Sequence, residues 1–351
     1  MNKIQSLTDR QTDRKLCYPC NRLQSTNTQY YGIDLIKFFC AILIVSIHVS
    51  PFAQNLAYFN VGIQMYLSRI AVPFFFVSSG FLLFNKIDVN RLDQMRIRDY
   101  CFRILRLFGT WSILLFLGGN EHLWYLGALV VAVLLLCFLL NKKVKPVVLL
   151  IISSALYLIG LLGDSYYELI EPLKNSLFFG TVINGYEKVF QTTRNGVFMG
   201  LVFILMGLFF SWEKARIKMK TAVVFFILSM GLLFAEVLLL RKYRLTKDAN
   251  MYVFLLPAVF FLFYIGKNIK FKPRMVFRKL RIIGVLIYFT HMLVKSLIDF
   301  GFSLLLKITG KTLYNQSIVF ILVIVLSILL SWLIEFLSSK ESLKWLRYLY
   351  S

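Results

Sequence analysis

The chain is 351 residues long, 58% hydrophobic and only 16% charged, with a mean hydropathy of +0.71. These proportions exclude a soluble domain and mark an integral membrane protein. The formal net charge of +23 would suit nucleic acid, but the cations fall mainly in short stretches between apolar runs, so no nucleic-acid partner is expected.

Residues 1–29 are polar and show no apolar core with a small-residue cleavage site, so no cleaved signal peptide is expected and they read as a cytoplasmic tail. Their Cys17-Tyr-Pro-Cys20 lacks a second pair of ligands and reads as two reduced thiols rather than a zinc site. No metal is expected. A helix needs about 20 mostly apolar residues to cross a bilayer. Ten segments approach that length: roughly 31–51, 61–84, 104–118, 123–140, 146–163, 196–211, 221–240, 251–266, 282–306 and 317–337. They predict an all-α polytopic bundle over 30–337, followed by a second cytoplasmic tail at 338–351. With both termini cytoplasmic, the inner segments hold 28 of the 40 Lys and Arg and the outer ones 9, as the positive-inside rule expects. Only the outer stretch 241–248, RKYRLTKD, is discordant; it reads as a misassigned segment or one that meets an anionic surface.

The first span, YYGIDLIKFFCAILIVSIHVS, carries Lys37 and, eleven residues on, His48. Eleven residues make almost a whole number of turns, so the two share a face about 16 Å apart, with Asp34 close to the same stripe. Ionisable residues inside a bilayer are costly and read as functional by default. The second span, SRIAVPFFFVSSGFLLF, brings Arg69 in from the outer side. Pro73 frees a backbone carbonyl, and Ser78-Ser79-Gly80 offers a small surface for close helix approach. Arg69 serves the site or snorkels to the outer headgroups.

The loop RLDQMRIRDYCFRILRLFG places Arg98, Arg103 and Arg106 where the third span begins. They report topology, bind anionic lipid, or grip a phosphorylated ligand through the guanidinium fork. Asn120-Glu121-His122-Leu-Trp124-Tyr125 precedes the fourth span at the outer face. It supplies either acid–base chemistry and a stacking surface or an aromatic belt. The outer connection 164–195 starts acidic, at Asp164, Glu168 and Glu171, and is longer than a helix turn requires; it reads equally as a functional loop and as a connector. In the ninth span His291 and Lys295 are one turn apart on one face.

Across GIDLIKFFCAILIVSIHVSP, SRIAVPFFFVSSGFLL, the R-x-x-R of Arg103 and Arg106, HLWYLGAL, RNGVFMGLVFILMG and IYFTHMLV, the chain resembles the acyltransferase-3 family of polytopic membrane acyltransferases. That family includes envelope O-acetyltransferases, and the likeness is greatest to the membrane domain of vancomycin-resistance serine racemases. Lys37 and His48 match its first-span pattern of a basic residue, ten others and a histidine, although many relatives have arginine at the first position.

The resemblance implies transfer of an acyl group, typically acetyl from cytoplasmic acetyl-CoA, to a hydroxyl of an envelope polysaccharide, glycolipid or related acceptor, by a multi-pass protein of the cell membrane. His48 would be the catalytic histidine and Lys37 its basic partner. Arg98, Arg103 and Arg106 would meet the coenzyme phosphates, and Arg69, Glu121, His122 and His291 would complete the site. Many relatives carry a soluble esterase-like or racemase domain after the tenth span, and this sequence shows none. The expectation is therefore a membrane domain that acts alone or passes the acyl group to a separate extracytoplasmic partner. A homo-oligomer is compatible with this. The rival reading is a transporter of a small polar solute such as serine, which would use the same polar stripe without covalent chemistry.

Overall fold

The computed structural model describes residues 29–53, 62–116, 119, 121–212, 216–310 and 314–351. The Cys17–Cys20 motif, most of the polar tail and Asn120 lie outside them. The helices are α1 (Tyr31–Val49), α2 (Ala71–Phe84), α3 (Gln94–Leu114), α4 (Trp124–Asn141), α5 (Pro146–Leu162), α6 (Leu177–Val189), α7 (Leu201–Ser211), α8 (Met219–Lys242), α9 (Leu255–Asn268), α10 (Met275–Thr309) and α11 (Gln316–Leu337). No strand occurs among the described residues. Each of the ten apolar segments read from the sequence coincides with a helix; α6 is additional, inside the outer connection. Six helical stretches are long and apolar enough to cross a membrane, and α5, α7 with its preceding turn, and α9 are shorter apolar helices.

Two boundaries differ from the sequence reading. α3 begins at Gln94, capped by the Asp93 carboxylate, which accepts from the Arg96 backbone N–H at 3.0 Å. Its first half is basic and amphipathic, so an apolar window misses it. The chain enters α2 through a 3-10 turn, Leu67–Ile70, and the helix restarts at Ala71. Pro73 thus sits in the first turn, where a missing N–H is tolerated.

α1 is the hub, packed against α2, α9, α10 and α11. Contacts at glycine set the closest approaches. A Cβ on Gly32 would lie 2.3 Å from the Gly266 carbonyl oxygen, where α1 crosses α9. One on Gly207 would lie 2.4 Å from the Val77 carbonyl oxygen, where α2 crosses α7. In a bilayer, where lipid competes with every apolar contact, such backbone-to-backbone approach is a main source of helix association. The Gly80 expected to admit a neighbour does so, against Ile204.

The outer connection is ordered by charge. Glu187 of α6 accepts from Lys174 at 2.9 Å, Lys247 at 3.1 Å and the Tyr167 hydroxyl at 2.7 Å. The discordant basic stretch therefore has an internal partner: its Lys247 neutralises this carboxylate. Leu177, Phe178 and Val189 leave α6 with an exposed apolar side.

Candidate functional site

All three histidines of the chain meet at one place. The ring centroids of His48 and His291 are 5.3 Å apart, those of His122 and His291 4.8 Å, and those of His48 and His122 6.1 Å. They come from α1, from the turn before α4 and from α10. His122 and His291 are buried, whereas His48 is partly exposed. His291 Nδ1 lies 3.0 Å from the Ile287 carbonyl oxygen. A carbonyl only accepts, so this nitrogen carries the proton and Nε2 is left as the acceptor in the neutral ring. His291 Nε2 and both nitrogens of His122 are buried without a hydrogen-bond partner among the described residues. Buried polar atoms in that condition call for a functional or solvent explanation. The Tyr288 hydroxyl donates to the His122 carbonyl oxygen at 2.6 Å and fixes that turn against α10.

His48 and His122 line a cavity of about 100 Å3 together with Arg69, Glu121, Arg194 and Asn250. Arg69 and Arg194 each have a buried Nε without a partner among the described residues. Both are held in place from behind. Arg69 Nη1 donates to Asn250 Oδ1 at 2.8 Å. Asn250 in turn gives its backbone N–H and its Nδ2 to the fully buried Asp164 carboxylate, at 2.6 and 3.0 Å. Arg194 lies over the Trp124 ring, 4.8 Å from its centroid, as cation–π attraction favours. The next residue, Asn195, caps the turn that leads into α7 by accepting from Val197 and Phe198. Gly196 lets this turn touch α4, since a Cβ there would lie 2.3 Å from the Ala128 carbonyl oxygen.

Among the described residues no three His, Cys, Asp or Glu side chains are arranged to hold a metal ion, the histidine trio included. The arrangement can instead offer a neutral imidazole as proton acceptor, beside two guanidinium groups that would bind a negatively charged oxygen.

The residues singled out in the sequence therefore divide. His48, Arg69, Glu121, His122 and His291 come together. Asp34 and Lys37 do not join them. Lys37 lies about 16 Å and Asp34 about 21 Å back along α1, within electrostatic reach of one another and of Arg281, and Lys37 also of Arg103. Arg103 and Arg106 project from the exposed side of α3. Arg106 donates to the Ser351 carbonyl oxygen at 2.5 Å and lies over the Tyr348 ring. Arg98 is exposed and pairs with its neighbour Asp99 at 3.4 Å. Lys295 faces Asp299, one turn further on, at 2.6 Å. The sequence reading does not single out Arg194, Asn250, Tyr288 or Arg281. Arg194 lies in the RNGVFMG stretch that carries the resemblance, and Asp164 was visible only as the acidic start of a loop.

A family model described as an acyltransferase domain matches residues 30–120. The chain is 30% identical over 276 residues to an amino-acid racemase of Enterococcus faecalis, covering 71% of this chain and 37% of that protein. It is 28% identical over 339 residues to another amino-acid racemase of Enterococcus faecalis, covering 88% and 46%. A serine/alanine racemase of Enterococcus gallinarum is 29% identical over 259 residues, covering 66% and 36%. The chain spans less than half the length of these curated relatives. No solved structure matches it.

Proposed function

The chain belongs to the acyltransferase-3 family, and from that premise we propose an integral plasma-membrane acyltransferase that moves acetyl from cytoplasmic acetyl-CoA to a hydroxyl of a cell-envelope carbohydrate or related acceptor. The observation that carries this reading is the position of His48: the one partly exposed imidazole of the trio, on the wall of a cavity shared with Arg69 and Arg194.

In this reading the acceptor hydroxyl approaches from the outer side, where Glu121 and Trp124 lie at the cavity. His48 removes its proton as the oxygen attacks the thioester carbonyl. Arg69 and Arg194 face the oxyanion that forms, and their fixed positions spare reorganisation at that moment. The carbon–sulfur bond then breaks, and the proton held by His48 accompanies the coenzyme thiolate out as a thiol. His122 and His291 pack behind His48 and set its ring orientation. Lys37, with Arg103 and Arg281, forms the cytoplasmic approach for the phosphorylated end of the donor; Arg98 and Arg106 border it on α3.

The test is thiol release from acetyl-CoA by the full chain in nanodiscs, with an acceptor mixture, for wild type against His48→Ala. Release by the wild type that is lost in the variant supports the assignment. Equal release by both overturns the role of His48.

A second reading, passage of a small polar solute, draws on the cavity's size and on charges of both signs in its lining, two arginines and Glu121, and on the amino-acid substrates named for the relatives. Uptake of serine into vesicles with no thiol release would favour it.

A further inference from the structure

Arg194 and Asn250 bring the leading ends of α7 and α9 to the histidine cavity. The opposite ends of the same two helices border a second cavity, of about 510 Å3. Three cations line it, Arg216, Lys218 and Lys267, with Asn268 beside them and Tyr264 and Phe210 in its wall. No carboxylate lines it among the described residues.

Lys267 is held by its own contacts, and the backbone between the other two cations is anchored. Lys267 donates to the Phe210 carbonyl oxygen at 2.7 Å and lies 5.1 Å over the Phe81 ring. Tyr264 binds both backbone groups of Ile217: its oxygen accepts from the Ile217 N–H at 2.8 Å, and its hydroxyl donates to the Ile217 carbonyl. Ile217 stands between Arg216 and Lys218, so this clasp fixes the backbone that carries both exposed cations against α9. One residue before Lys267, Gly266 touches Gly32 of α1, which places the cavity at the end of α1 that carries Asp34 and Lys37. The charge pattern puts that end on the cytoplasmic side.

Several positive groups around a roomy hollow form an anion site, and an arginine among them favours planar, bidentate phosphate recognition. We propose that this cavity binds a phosphate-bearing ligand at the cytoplasmic face, with room for more than one phosphate group. Two sources share that chemistry: the phosphorylated nucleotide end of an acyl donor, and an anionic phospholipid headgroup. The first rests on the acyl-transfer reading, and the second does not.

The experiment measures binding, so it stands apart from turnover. Adenosine 3′,5′-bisphosphate is titrated into the full chain in phosphatidylcholine nanodiscs, and retained phosphatidylglycerol is counted by native mass spectrometry. Five forms are compared: wild type, R216Q/K218Q, the charge-keeping R216K/K218R, K142Q/K143Q, which removes two exposed cations elsewhere, and His48→Ala. At least a tenfold loss of one ligand is expected in R216Q/K218Q alone, with R216K/K218R retaining most of it. Loss of the nucleotide identifies the donor as the source, and loss of phosphatidylglycerol identifies lipid. His48→Ala should bind as the wild type does, even where it abolishes turnover. Equal binding by R216Q/K218Q and wild type, equal weakening by K142Q/K143Q, or no binding of either probe by the wild type overturns the proposal.

Discussion

Asp164 governs Arg69 through a single intermediary: its carboxylate takes both nitrogens of Asn250, and the Asn250 side-chain oxygen takes Arg69. The same carboxylate accepts from the Met251 backbone at 3.0 Å and from the Ser165 hydroxyl at 2.8 Å. A hydrogen bond to a charged group is worth about 1.5–3 kcal/mol, and a donor left unsatisfied costs about as much.

Asp164→Ala should therefore lower thermal stability by about 3 kcal/mol and reduce acyl transfer by more than tenfold. Asp164→Asn, which keeps the shape but cannot accept every donor, should lose less stability while still lowering kcat. Thermal unfolding in detergent together with steady-state kinetics separates the two. Wild-type kcat in a folded Asp164→Asn variant would deny this hydrogen-bonded relay any part in holding Arg69.

The histidine trio predicts a graded response. His48→Ala removes the proton acceptor, a loss of about 10²–10⁴ in rate, with a smaller change in stability because the side chain is partly exposed. His291→Ala leaves a void in a fully buried position and should destabilise by about 2–4 kcal/mol, with a smaller fall in turnover of the protein that remains folded. Turnover per folded molecule, with folding read from size-exclusion profiles, decides. A greater rate loss from His291→Ala than from His48→Ala would reverse the assignment of proton acceptor.

The outer connection should be sensitive to acid. Lys174 and the Tyr167 hydroxyl, with Lys247, hold the Glu187 carboxyl at about 2, below its ordinary 4.5. A carboxyl lowered on folding stabilises above its unfolded pKa, and this is lost as the pH falls towards the folded value. The wild-type melting temperature should drop between pH 4.5 and 2 by more than that of Glu187→Gln, which should start lower and change less. Parallel melting curves for the two proteins across that window would remove Glu187 from the account.

Gly207 offers a test of close helix packing. Gly207→Ala puts a methyl against the α2 backbone and should destabilise by about 1–3 kcal/mol. Gly231→Ala, in α8, meets nothing within 4 Å and should be neutral or slightly stabilising through helix propensity. A thermal shift assay on the pair suffices. Equal melting temperatures would mean that α2 and α7 can part without cost.

Runs of apolar residues made the ten helices legible, because crossing a bilayer leaves few alternatives to a long apolar helix. The amphipathic start of α3 and the whole of α6 escaped because each has one polar side, which an apolar window averages away. Within the site, the regular rise of one helix was enough to relate Lys37 to His48. No periodicity relates helices to each other, so the meeting of His48 with His122 and His291 could not be read from spacing. Arg69 and Asn250 lie 181 residues apart in the chain. Asn250 is further hidden in a stretch that is neither apolar nor strongly charged, and Arg194 lacks the apolar surroundings that made Arg69 conspicuous.

Between Lys37 and His48, the residues Cys40, Ala41, Ile44 and Val45 are at most 4% exposed. The buried side of α1 between the two groups is therefore packed and apolar. A charged or polar group moving along this face from one end to the other would have to give up its water, which costs free energy unless it meets a partner on the way.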